Sequence, residues 1–308
     1  MTERRAEKPK VLCAGGAVED IVMRVDRFPE PGTKVQASEF LITSGGQSGN
    51  AAVAIARLGG QVSFAGPLGD EDDEFASRIV KTLLQEKIDC TGAVRVPGAI
   101  SSVSLILVDA AGEKMITTRR DQGLGEVAPQ NAERAVSAVD AVLLDNRYPN
   151  FVIPICNAAR ARGIPRVLDF DKAAPLDDPL LTGCSHVICS SEALRGSTGL
   201  DDLPAALKKL GQHFSGFLAV TDGDHGVYWI DNGEIRHMPA FKVNAIDTLG
   251  AGDVFHGAFT FRLVETGDVV DSMRFASAAA AIKCTRFGGL MGAATRGEVD
   301  DFLKQHSR

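Results

Sequence analysis

Asp253 closes the string Asp247-Thr248-Leu249-Gly250-Ala251-Gly252-Asp253, and the mostly apolar run 254–259 follows at once. A turn of small residues opening onto an apolar helix leaves backbone N–H groups without intrahelical partners. They lie at the positive end of the helix dipole, where an anion is held. Gly250 and Gly252 let the backbone approach that anion closely, and Ala251 adds only a methyl group. A carboxylate on the first helical turn can accept the proton of an attacking hydroxyl, so the string is equipped to move a phosphoryl group. The same residues would also serve a plain helix start, with Asp253 as cap or first-turn carboxylate.

A second glycine run, Ser44-Gly45-Gly46-Gln47-Ser48-Gly49-Asn50, leads into the alanine-rich stretch 51–58. Free N–H groups again precede a helix, and the Asn50 amide could hydrogen-bond a hydroxyl or act only as a cap. Arg147 ends an apolar run, 141–145. An arginine at the carboxyl end of a parallel strand lies where ligands bind, and its planar fork suits an anion. Lys34, Arg119 and Arg120 are further cations in polar-apolar stretches; each could equally be a solvated surface charge.

These residues need elements to hold them. Residues 11–16 read as a first buried strand ending in glycines, without the Gly-x-Gly-x-x-Gly of a dinucleotide site. Residues 21–43 alternate polar and apolar around Pro29-Glu30-Pro31-Gly32, and 101–118 do so around 109–113, as antiparallel strands exposed on one face would. Residues 49–58 and 75–87 read as helices, with 62–66 as a strand between them. From 132 onward strands and helices alternate: strands at 141–145, 166–170, 186–189 and 217–221, helices at 151–162 and 203–214. That alternation predicts a parallel sheet with helices on both faces. Two helices rich in small residues, 254–265 and 271–284, close the pattern.

The 308 residues, 44% of them hydrophobic, suffice for one large α/β domain with a small appendage. A formal charge of −7 and the absence of a basic block exclude nucleic acid and anionic membrane as expected partners. Six cysteines without a Cys-x-x-Cys pair give no zinc site. A polar start, residues 1–10, and no uninterrupted run of 18 apolar residues predict a cytoplasmic protein with reduced thiols.

The string 247–253 resembles the C-terminal signature of the ribokinase-like (PfkB) sugar and nucleoside kinases, and 44–59 is similar to the N-terminal signature of the same family. The resemblance implies a three-layer α/β/α domain with a mostly parallel central sheet, formed by residues 1–20, 44–100 and 119–308. It implies a small β lid, formed by 21–43 and 101–118, which closes over the sugar and makes a homodimer contact. Asp20, Gly45, Gly46 and Asn50 would then bind the sugar, Asp253 would be the base, and Gly250, Ala251 and Gly252 the anion hole. Thr221, Gly223 and Gly226, with Thr248, Gly250 and Gly252, would meet the nucleotide. ATP and Mg²⁺ are implied as cofactors, as is a monovalent cation such as K⁺ where residues 247–249 meet 286–289. The family's Asn-x-x-Glu magnesium motif appears only as Cys189-Ser190-Ser191-Glu192, leaving Glu192 as an indirect ligand or a helix-start carboxylate.

Within that family, the stretches 239–258 and 274–289 are most similar to bacterial kinases of 6-deoxy-6-sulfofructose. These read a sulfonate through an arginine and a lysine matching Arg147 and Lys34. Their lid asparagine is replaced here near Thr118, and ketohexokinase-type enzymes also carry an arginine near position 147. The expected activity is ATP-dependent phosphorylation of a primary hydroxyl on a ketohexose or an anionic derivative. A ribose or nucleoside kinase, and a catalytically silent sugar-binding regulator, are the alternatives.

Overall fold

The computed structural model describes residues 8–306; the outermost residues of the expected domain limits and most of the polar start lie outside them. In chain order the strands are β1 (Lys10–Ala14), β2 (Val18–Arg24), β3 (Glu39–Gly45), β4 (Gln61–Leu68), β5 (Asp89–Arg95), β6 (Ser102–Val108) and β7 (Lys114–Arg119). Then come β8 (Ala141–Asp145), β9 (Arg166–Phe170), β10 (His186–Ser190), β11 (Phe217–Thr221), β12 (Val227–Asp231) and β13 (Glu234–Met238). The helices are α1 (Gln47–Arg57), α2 (Glu74–Gln85), α3 (Ala132–Val136), α4 (Pro149–Ala161) and α5 (Pro179–Gly183). They continue with α6 (Ser191–Thr198), α7 (Leu203–Gly211), α8 (Ala251–Thr266), α9 (Val269–Cys284) and α10 (Arg296–Gln305).

Nine strands form one sheet in the order β13-β12-β11-β10-β9-β8-β1-β4-β5. Pairing is parallel from β5 to β11 and antiparallel only at β12 and β13. Successive strand residues face opposite sides. Val11 and Cys13 therefore enter one core with α1, α2, α8, α9 and α10, while Leu12 and Ala14 enter another with α3 to α7. The continuous apolar runs of the sequence are buried on both faces for this reason. Among the described residues, no helix is long and apolar enough to cross a membrane.

The second sheet has the order β3-β2-β6-β7. Its register gives two inward rows, Leu41-Val22-Ile106-Ile116 and Thr43-Asp20-Ser104-Thr118. Two outward rows, Phe40-Met23-Leu107-Met115 and Ile42-Ile21-Leu105-Thr117, are apolar apart from the threonine.

The structure differs from the sequence reading in particular places. β2 begins at Val18 and β3 runs to Gly45, so the boundaries expected at 20/21 and 43/44 fall inside strands. Val18, Glu19 and Asp20 are all buried, which hides the alternation that would mark the strand. The pairing of β2 with β6 is parallel, not antiparallel. Edge strand β5 and the hairpin β12–β13 lie outside the elements the sequence indicates: polar residues break the period of β5 and β13, and β12, apolar apart from Asp231, has only five residues.

Candidate active site

Most helices begin on a residue that caps them. Asp73, Asp178, Ser190, Asp202 and Asp268 accept first-turn N–H groups of α2, α5, α6, α7 and α9. By contrast, α1 and α8 start on Gly46 and Gly250, at φ 83° and 73°, with no side-chain cap. In α8 the Ala251 N–H reaches Thr248 O and the Val254 N–H reaches Gly250 O. The N–H groups of Gly252 and Asp253 are left without an intrahelical acceptor.

The two helices cross closely because a Cβ at Gly257 would lie 2.6 Å from the Ala51 carbonyl oxygen. That approach sets Asn50 against Asp253: Nδ2 donates to Oδ2 at 2.6 Å. Asn50 Oδ1 is buried without a partner among the described residues, an acceptor that a hydroxyl donor would satisfy. Burial pushes the Asp253 carboxyl up to about 6; the Asn50 bond opposes this, Asp171 adds to it and the Lys114 charge also opposes it. Such a value suits a base working near neutral pH.

Asp20 projects from β2 into the same cavity. A Cβ at Gly45 would lie 1.9 Å from its Oδ2, so only glycine lets the carboxylate sit there. Burial raises Asp20 to about 7, with Ser104 lowering it and Asp253 and Glu19 raising it. A Cβ at Gly46 would meet Gly16 O at 2.7 Å, which with its positive φ makes glycine necessary there too.

The cavity, about 340 Å³, is lined by Asp20, Gly46, Asn50, Arg147, Thr221, Thr248, Gly250, Ala251, Gly252 and Asp253. Residues from both ends of the sequence thus share one cavity. Of the other expected site residues, Gly45 lies behind Asp20, and Gly223 and Gly226 form the turn after Thr221 without lining the cavity. Lys34 is exposed in a segment without regular structure and does not line the cavity. Glu192 is exposed on the first turn of α6, whose capping Ser190 faces the cavity instead.

Several lining residues escaped the sequence reading. Lys114 on β7, the Asp169 carboxylate within β9 and the Asp171 carboxylate just after it line the cavity, as does Gln47. Arg147 donates from Nε to Gln47 Oε1 at 2.8 Å and from Nη2 to Asp171 Oδ2 at 2.7 Å. Gln47 Nε2 is buried without a partner among the described residues. Arg120 also lines the cavity, with no hydrogen bond or close ion pair among the described residues. Although the residue is exposed, partial desolvation and then the Arg147 charge hold its guanidinium below its usual range. Behind them, Asp145 ties the wall together, accepting from Gly16 N–H at 2.7 Å, Ser48 Oγ at 2.6 Å and Arg147 N–H at 3.0 Å. The sequence carries a local signal for only part of this set: Gln47 starts α1, Arg147 and Asp171 follow β8 and β9, and Arg120 follows β7, whereas Lys114 opens β7 and Asp169 lies within β9.

No group of three or more His, Cys, Asp or Glu able to hold a metal occurs among the described residues. The Asp169 and Asp171 oxygens fit Mg²⁺ in its usual mode, through one or two carboxylates, water and nucleotide phosphates.

Residues 8–295 match the family model described as "pfkB family carbohydrate kinase". A ribokinase of Haemophilus influenzae is 30% identical, over 96% of this chain and 99% of its own length. A deoxyribokinase of Salmonella typhimurium is 29% identical, over 90% and 93%. A solved chain from Agrobacterium tumefaciens, described provisionally as a ribokinase, superposes with a TM-score of 0.92 at 36% identity, covering 98% of this chain and 99% of that one.

Proposed function

Because the chain belongs to the pfkB family of carbohydrate kinases, and is an ATP-dependent sugar kinase with ribokinase relatives, we propose that it phosphorylates a primary hydroxyl of a ketohexose or an anionic ketohexose derivative. The observation that carries this reading is the Asn50–Asp253 bond of 2.6 Å at an uncapped glycine turn. Asp253 takes the hydroxyl proton as the oxygen attacks the γ-phosphorus and the bond from that phosphorus to the departing ADP oxygen breaks; the turn at 250–252, through the free Gly252 N–H, steadies the transferring phosphoryl group. Asp20 and Asn50 orient the sugar. Thr221 and Thr248, with the turn at Gly223 and Gly226, border the nucleotide side. Mg²⁺, when bound, supplies charge neutralisation on the phosphates, and Asp169 and Asp171 would hold it.

The cations support an anionic substituent. Gln47 Nε2, Arg120 and Arg147 bring three donors to one wall, two of them not satisfied by the protein. Gln47 and Asn50 are three residues apart on α1, so this wall lies about one helical turn, roughly 5–6 Å between Cβ atoms, from the base side. Arg120, not Lys34, is the second cation of this reading. A ribose kinase is the second reading, favoured by the relatives named ribokinase and deoxyribokinase.

The deciding experiment is an ADP-release assay with fructose, 6-deoxy-6-sulfofructose, fructose 6-phosphate, ribose and adenosine. The account expects an anionic ketose to be preferred. Arg120→Gln should lower its kcat/KM at least about tenfold, the scale of one charge-assisted hydrogen bond, with a smaller effect on fructose. Preference for ribose would select the second reading. Binding without turnover would make the chain a sugar-binding protein. The apolar outward face of the small sheet further supports a homodimer through that sheet, with Phe40 60% and Met115 47% exposed.

A further inference from the structure

Lys283 lies on the last turn of α9 and is wholly buried. Its Nζ donates to the Asp247 carbonyl oxygen at 2.7 Å and stands 3.3 Å from Asp247 Oδ2. The Asp247 carboxylate is otherwise filled. Oδ1 accepts from Leu249 N–H at 2.7 Å, and Oδ2 from Gly288 and Gly289 N–H at 2.9 and 3.1 Å. The N–H groups of Ile246 and Asp247 in turn reach Cys284 O. One ammonium group thus sits where the lead-in to the Gly250–Gly252 turn meets the end of α9 and the 286–289 loop.

This is the place where a monovalent cation was expected, and the residues present do not fit one. Both carboxylate oxygens and the Asp247 carbonyl are committed to N–H donors, and a second cation would stand against a buried ammonium on which, among the described residues, Asp247 is the one carboxylate seen to act. We propose that the Lys283 ammonium is the protein's own tethered monovalent cation, neutralising Asp247 and fixing the approach to the anion turn, so that catalysis needs no K⁺. Lys283 is a positioning residue: it does not line the cavity and acts through Asp247 and the turn. The inference rests on the kinase reading. Burial lowers the lysine's proton affinity, and the Asp247 charge is the first influence that opposes it.

The test compares KCl, NH₄Cl and tetramethylammonium chloride at one ionic strength. The wild type should turn over at the same rate in all three, and its Tm should not respond to K⁺. Lys283→Ala leaves Asp247 buried and unpaired, so turnover in tetramethylammonium should fall at least about tenfold. Both its rate and its Tm should recover in NH₄Cl or KCl, which a merely structural lysine would not allow. Activation of the wild type by K⁺ overturns the proposal, and that arm holds even if the variant does not fold. A folded variant that neither cation restores overturns it as well. If no sugar is phosphorylated under any condition, the kinase reading fails, and the Tm responses of wild type and variant still decide the role of Lys283.

Discussion

Asp253 and Asp20 are carboxyls held above their ordinary range by burial, to about 6 and about 7, and this fixes the direction of the pH response. The base must be ionised, so kcat/KM should rise with pH through about 6 to 7 and then level off; a profile flat from pH 5 to 8 would contradict this. Stability runs the other way. The folded protein binds these protons more tightly than the unfolded chain, so the carboxyls' contribution is greatest below about pH 4 and declines as pH rises through 6 to 7. Asp253, Asn50 and the glycines around them were legible in the sequence because each sits in a local run of small residues leading into a helix, a pattern that suits a ligand turn as well as a plain helix start. Arg120 was legible only as one of several candidate cations, and Gln47, Lys114 and Lys283 were not legible, because their meaning comes from distant packing. Gln47 acquires its role from Arg147, one hundred positions away. Lys34 and Lys114 both lie in the lid stretches, and the lid register puts Lys114 at the cavity.

Among elements, the crossing of α1 and α8 does the most to assemble the site. A Cβ at residue 257 would press on the Ala51 backbone, where no side chain can give way. Gly257→Ala should therefore cost about 1–3 kcal/mol in stability. It should also lower kcat more than sugar KM, because it pulls Asn50 from Asp253; unaltered thermal unfolding and turnover would count against this account. The alternating elements after residue 132 were readable because parallel strands buried on both faces form uninterrupted apolar runs, and β9 and β11 have the bounds the sequence indicated. The hairpin β12–β13 was not, since His237, Arg236 and Glu234 break any period.

At the scale of the whole molecule, the small sheet faces two ways. Its inner rows carry Asp20, Ser104 and Thr118 toward the cavity, and its outer rows leave Phe40, Ile42, Leu105 and Met115 exposed. A second copy covering those rows would steady the wall that holds the sugar. Phe40→Glu should then shift the protein to monomer in sedimentation velocity and raise the sugar KM; a wild type that sediments as a monomer would remove the dimer. The central claim is phosphoryl transfer at the glycine turn with Asp253 as base, and one comparison tests it most directly. ATP-dependent sugar phosphate formation is measured for wild type and Asp253→Asn with the best ketose of the panel, with ATP binding followed in parallel. The account predicts retained folding and ATP binding with turnover lowered by orders of magnitude; turnover near that of the wild type would contradict it.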